Sequence, residues 1–155
     1  MVTVAAAIGA TYSRAKYMCA YFKDGSMQAK VSIFYSGKLI GVGATSEERC
    51  KTDLLHTIEV LKEKGFLSEH TPRLETRNVV ATVDLEKPID MEKLFAESLD
   101  YIYEPEQFPA AIVRVDDLHV TVLVYGAGKL VIAGLRTTRN LQKTALDITQ
   151  KLGLV

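Results

Sequence analysis

A seven-residue phrase occurs twice in this chain: Ile33-Phe34-Tyr35-Ser36-Gly37-Lys38-Leu39 returns 91 positions later as Val124-Tyr125-Gly126-Ala127-Gly128-Lys129-Leu130. Each copy is an apolar run ending in an aromatic residue. A Gly-Lys turn follows, and then a second apolar run closed by Gly43 or Gly134. The same register pairs Tyr12 with Tyr103, Tyr17 with Phe108, Ala20 with Ala111 and Lys23 with Arg114. An internal duplication of this kind means one supersecondary unit built twice, and so a pseudo-twofold molecule. Such a molecule suits a partner that is itself pseudo-twofold, as duplex DNA is.

At 155 residues the chain has room for one compact domain or for two small halves sharing a core. Its 48% hydrophobic and 25% charged content is that of a globular protein rather than a disordered tail. No apolar run nears the ~18–20 residues needed to span a bilayer. Met1–Ala10 is apolar but lacks a basic flank and a cleavage region, so an intracellular protein without membrane association is expected. Cys19 and Cys50 form neither a CxxC pair nor a dense framework, which points to two reduced thiols. His56, His70 and His119 lack ligand spacing, so neither a metal nor another cofactor is expected. No Ser/His/Asp, Cys/His or paired-carboxylate arrangement stands out, and an enzyme is disfavoured. A net charge of zero argues at first against nucleic acid. Placement of the charges has to decide.

The second half predicts β-α-β-β-β-α. Asn78–Asp84 is β-branched and strand-like, and Pro88 with Asp90 opens a helix through about Leu99. Strands are expected at roughly 110–116, 119–125 and 129–134, with Thr137 or Thr138 capping a final helix. In the first half, strands near 18–24, 28–34 and 38–43 precede a helix capped by Thr45 or Ser46. Its apolar stripe is Leu54, Leu55, Ile58 and Leu61, and Gly65 stops it. The organisation is therefore a shortened first repeat over 1–66, a linker over 67–77 and a second repeat over 78–155. Only 11 residues precede Tyr12, about one helix too few. Of the two readings, Met1–Ile8 as the leftover helix or Val2 and Val4 as the first strand with the helix missing, the strand is preferred. Losing a sheet strand would leave backbone groups unpaired.

Taken together, NVVATV, YEPEQFPAAIVRV, the Gly-Lys hairpin and the closing helix over 78–155 resemble the core domain of TATA-box-binding proteins, here a divergent archaeal-type paralogue. FYSGKLIGVGATSEE carries a fainter likeness in the first half. The resemblance implies an α+β saddle: two pseudo-symmetric repeats forming one curved, ten-stranded antiparallel sheet, with helices on the convex side. It implies a general transcription factor, monomeric or weakly dimeric, that grips and bends AT-rich double-stranded DNA through the minor groove and recruits transcription factor B. The compartment would be the cytoplasm, at the nucleoid in an archaeon, or the nucleus in a eukaryote.

Such proteins insert apolar wedges between base steps, a cost of a few kcal/mol per step recovered through wrapped surface. The matching positions are Tyr17 and Phe34, then Phe108 and Tyr125, each pair spaced 17 apart. A tyrosine hydroxyl at a wedge tip must stay solvated or bonded, which weakens insertion. Cations at strand positions are Lys16, Lys23, Lys30, Lys38, Arg114, Lys129 and Arg136. If all of them met phosphates, the logarithmic salt slope would be about −6. The acids Glu47, Glu48, Asp53, Glu59 and Glu63, with Asp90, Glu92 and Glu97, fall on back helices instead.

The family places an Asn at the centre of each repeat and a Thr beside it. Here only Asn78 matches an Asn, and Val42 and Ala133 occupy the Thr positions. Val80 and other apolar strand residues remain to press on the groove floor. The loop Tyr103–Phe108 resembles the stirrup on which factor B docks, with Glu104 and Glu106 as the contact candidates, whereas Tyr12–Tyr17 is basic. The departures keep a second expectation open: a saddle-fold regulator that has lost most TATA binding and acts through protein partners.

Overall fold

The structure, a computed structural model, describes residues 1–68, 71–96 and 100–154; the expectations on His70, Glu97 and Leu99 lie outside the described residues. The chain divides into two compact units, Met1–Glu75 and Thr76–Val155. Among the described residues no helix is long and apolar enough to cross a membrane.

The first unit runs α1 (Val2–Ile8), β1 (Cys19–Phe22), β2 (Lys30–Phe34), β3 (Leu39–Val42) and α2 (Glu47–Glu63). Its strands form an antiparallel sheet in that order. Strict alternation puts Val31 and Ile33 of β2 inward, where they meet Ala20, Phe22 and Leu61. Ala5 and Ile8, three apart on one face of α1, pack into the same cluster. Ser46 caps α2 by accepting from the Arg49 N–H at 3.1 Å, and Gly65 follows the helix at φ 74°.

The second unit runs β4 (Val79–Asp84), α3 (Met91–Ala96), β5 (Tyr101–Ile102), β6 (Ala110–Val115), a 3-10 turn, β7 (Val120–Tyr125), β8 (Lys129–Leu135) and α4 (Leu141–Lys151). Its five antiparallel strands are ordered β4-β8-β7-β6-β5. Val113, Val122, Leu130 and Ile132 face a core that Ile148 and Leu152 of α4 close. Asp90 caps α3 by accepting from the Lys93 N–H at 3.1 Å, and Phe95 stacks on Tyr101 with ring centroids 3.9 Å apart.

The preferred reading of the N-terminus is corrected: Val2–Ile8 is a helix, and the first strand is what this unit lacks. Three consecutive alanines favour the helix, and Gly9 ends it in the left-handed conformation at φ 69°. A helix satisfies its own backbone, so the argument from unpaired strand groups loses its force. The described residues hold eight strands rather than ten. The counterpart of β4 is missing, and that of β5 is reduced to a single bridge, Thr11↔Tyr21. The bridge falls 91 positions before the pair Ile102↔Ile112.

Two local expectations also shift. The final helix begins at Leu141 after Asn140, because the Thr137 hydroxyl accepts from the Arg139 N–H in a tight turn instead of capping. On α2, Leu55 is exposed, while Asp53 and Thr57 are buried. Asp53 is therefore no part of an acidic outer face. Its carboxylate accepts the Gln28 and Ala29 N–H groups at 2.9 and 2.7 Å and pairs with Arg49 at 3.2 Å. It fastens the turn after β1 to the helix.

Candidate nucleic-acid interface

The wedge candidates sit on turns that the duplication builds twice. After β2 the Gly37 N–H donates to the Phe34 carbonyl, and after β7 the Gly128 N–H donates to the Tyr125 carbonyl, at 3.0 and 2.9 Å. Both glycines need positive φ, at 83° and 91°. Gly128 is further crowded, since a Cβ there would lie 1.9 Å from the Lys87 carbonyl oxygen. The loops before β1 and β6 match as well. Lys16 and Tyr17 donate to the Ser13 carbonyl, as Gln107 and Phe108 donate to that of Glu104.

These loops leave Tyr17 and Phe108 each 39% exposed, while Phe34 and Tyr125 are half-buried. In the second unit the two wedge candidates meet, with the Phe108 and Tyr125 rings 6.4 Å apart. Tyr17 instead makes an edge contact with Tyr21 at 5.1 Å. The Tyr21 hydroxyl hydrogen-bonds the Cys19 thiol, which pushes its pKa upward.

Away from its core, the second sheet presents a row that strand register lines up: Ile102, Ile112, Leu123, Val131 and Thr82. The next row holds Arg114, Thr121, Ala133 and Val80. In the first unit the matching row is Thr11, Tyr21, Ser32 and Ile40, followed by Lys30 opposite Val42. Four apolar positions thus become a threonine, a tyrosine, a serine and an isoleucine. Of these rows only Val80, Arg114, Ala133, Lys30 and Val42 were singled out from the sequence, although period-two alternation within each strand carries the signal of the rest.

Asn78 lies just before β4, and its side-chain carbonyl accepts from the Gly134 N–H at 2.9 Å. That bond commits the oxygen and gives the amide NH2 the donor role. Val80 is exposed beside Ala133. Of the cations, only Lys30, Arg114 and Lys129 lie within strands; Lys16, Lys23, Lys38 and Arg136 are in adjoining turns and loops, a correction to their expected placement. Turn positions are equally exposed but give the side chain a wider sweep. Lys23 donates to the Gln28 carbonyl at 2.7 Å, and Arg136 donates to that of Arg77 at 3.3 Å. Lys129 lies 3.9 Å from Asp84, its cross-strand partner, so its charge is partly spent. Lys30 is held 5.0 Å from the Tyr21 ring centroid, a contact of about 0.5–1 kcal/mol at an exposed site. Glu104 and Glu106 are exposed and, with Pro105 and Gln107, line a hollow of about 300 Å³.

Residues 73–154 match the family model described as transcription factor TFIID (or TATA-binding protein, TBP). The TATA-box-binding protein of Methanobrevibacter smithii is 30% identical over 150 residues, covering 95% of this chain and 83% of its own. That of Methanocaldococcus jannaschii is 39% identical over 118 residues, 75% of this chain and 63% of its own. The solved structure of Methanococcus jannaschii TBP superposes with a TM-score of 0.84 at 30% identity, covering 99% of this chain and 89% of that one. With the α+β units above, these likenesses establish that the chain belongs to the TATA-binding protein family.

Proposed function

We propose that this protein is a TBP-like general transcription factor that binds and bends AT-rich duplex DNA through the minor groove and recruits transcription factor B. The two repeats are taken as 1–66 and 78–155, joined by the 67–77 linker. The observation that carries the reading is the apolar second-unit row flanked by Phe108 and Tyr125. A sheet face of this kind offers methyl and ring contacts where soluble proteins ordinarily place polar groups. Phe108 and Tyr17 are the better exposed wedges, with Phe34 and Tyr125 behind them. Asn78 donates to groove acceptors, Val80 presses on the floor, and Lys23, Lys38, Arg114, Lys129 and Arg136 meet phosphates. Glu104 and Glu106 contact factor B. The protein acts without a catalytic step, as a monomer or weak homodimer at the nucleoid.

A second reading, a regulator acting through protein partners, draws on Val42 and Ala133 in place of the two threonines and on the polar first-unit row. Titration of AT-rich and GC-rich duplexes across salt concentrations separates the two. DNA gripping gives an AT preference and a slope near −4 to −6. Negligible binding to both duplexes, with retained affinity for factor B, would leave only the second reading.

A further inference from the structure

Ser32 stands 91 positions before Leu123, and the two occupy the same place in their sheets. Each lies on a strand paired on both sides, Ser32 between Tyr21 and Ile40 and Leu123 between Ile112 and Val131. Val31 and Ile33 are buried in the core, which turns Ser32 to the opposite face with the wedge candidate Phe34. The groups beside Ser32 are occupied or apolar. The Tyr21 hydroxyl is bonded to the Cys19 thiol, the Lys30 ammonium sits 5.0 Å from the Tyr21 ring centroid, and Ile40 is a hydrocarbon.

We propose that Ser32 is a specificity-determining residue that admits a G·C pair to the AT-rich site, a claim that rests on the DNA-binding reading above. In the minor groove a G·C pair differs from A·T by the guanine N2 amino group, a donor on the groove floor. An apolar side chain such as Leu123 covers that amino group and leaves an N–H without a partner, so an apolar row rejects guanine. Serine is shorter than leucine, which leaves room for the amino group, and its hydroxyl oxygen accepts from it. Wedge insertion by Tyr17 and Phe34 on the same face unstacks and opens the groove, which brings base edges to the sheet and so to Ser32. Contact of this face with a groove floor suffices, whatever the placement of the other unit.

The test titrates the whole chain against an AT-rich parent duplex and against a series in which each A·T pair in turn becomes G·C. A matching series carries inosine, which lacks the N2 amino group, in place of guanine. Over apolar positions G·C should weaken binding about tenfold or more, and inosine should restore it. At one interior position wild type should hold G·C within about threefold of the parent, with no gain from inosine. Ser32→Leu should remove that tolerance and make inosine restorative there as well. Ser32→Thr, which keeps the hydroxyl, should retain it. Thermal unfolding of each variant checks that the strand is intact. A profile that Ser32→Leu leaves unchanged, or the lack of any tolerated interior position in wild type, overturns the proposal while leaving DNA binding in place. Absence of wild-type binding to the parent duplex overturns the DNA-binding reading itself, and the proposal with it.

Discussion

In the second unit β8 lies between β4 and β7, whereas its first-unit counterpart β3 has only β2 beside it among the described residues. The turns and loops around the wedge candidates nonetheless share their internal backbone bonds in both units, while only the second turn also accepts, at Gly126 and Gly128, from Ile89 and Leu85. These features are set by four or five contiguous residues and persist whatever the rest of the sheet does. Sheet width depends on an extra segment, and there the copies diverge. The first unit has a different reinforcement: α2 spans 17 residues against 11 for α4, and it sends Asp53 into the turn after β1. A side-chain clamp stands where the other unit relies on additional strands.

The sharpest way to break this comparison is to remove the clamp. Asp53→Ala strips a 1% exposed carboxylate from two backbone N–H groups and from Arg49. A cost of about 3–5 kcal/mol is expected. Chemical denaturation should show the first unit destabilised, and a loss below ~1 kcal/mol would mean the clamp is dispensable. Next in size is the contrast between the duplicated glycines. Gly37→Ala should cost about 1–2 kcal/mol for its left-handed backbone alone. Gly128→Ala should cost clearly more, because the new methyl group meets the Lys87 carbonyl, which is backbone. Equal melting temperatures for the two variants would contradict the crowding at Gly128.

The smallest effect is the pH dependence that Asp24 gives the first unit. Hydrogen bonds from Ser26 and from the His56 ring hold the Asp24 carboxyl down to about 2. A depressed carboxylate contributes stability that is fully present above its unfolded pKa near 4 and is lost as pH falls through 2. Both side chains are over a third exposed, so solvent screens the pair. Acid titration of Asp24→Asn should show a shallower loss between pH 4 and 2 than wild type. An identical profile would mean that the Asp24 contacts with Ser26 and His56 carry no stability.

Much of this fold was legible in the chain before any coordinates. The Gly37 and Gly128 turns, the Ser46 and Asp90 caps and seven of the eight strands follow from local chemistry. Two-residue β5 was missed because it is too short to show periodicity. Val2–Ile8 was misjudged because the cost of unpaired strand backbone was set above the helix preference of three consecutive alanines. Asp53 was taken for a surface acid since its partners, Gln28 and Ala29, are 25 and 24 positions away and use only their backbone. The wedge candidates follow from the family resemblance, with the same 17-residue spacing in each repeat. The cation–ring contact at Tyr21 was not legible, because it depends on a diagonal across β1 and β2.

Bending of an AT-rich duplex, followed by energy transfer between dyes on its ends, tests the proposed grip most directly. Wild type should bring the ends together. Phe108→Ala, which removes the exposed all-carbon wedge, should abolish bending while the protein melts as a folded chain. Tyr17→Ala should reduce bending only in part, since its hydroxyl already weakens insertion. Unchanged bending in Phe108→Ala, or a greater loss in Tyr17→Ala, would contradict a grip led by the second unit.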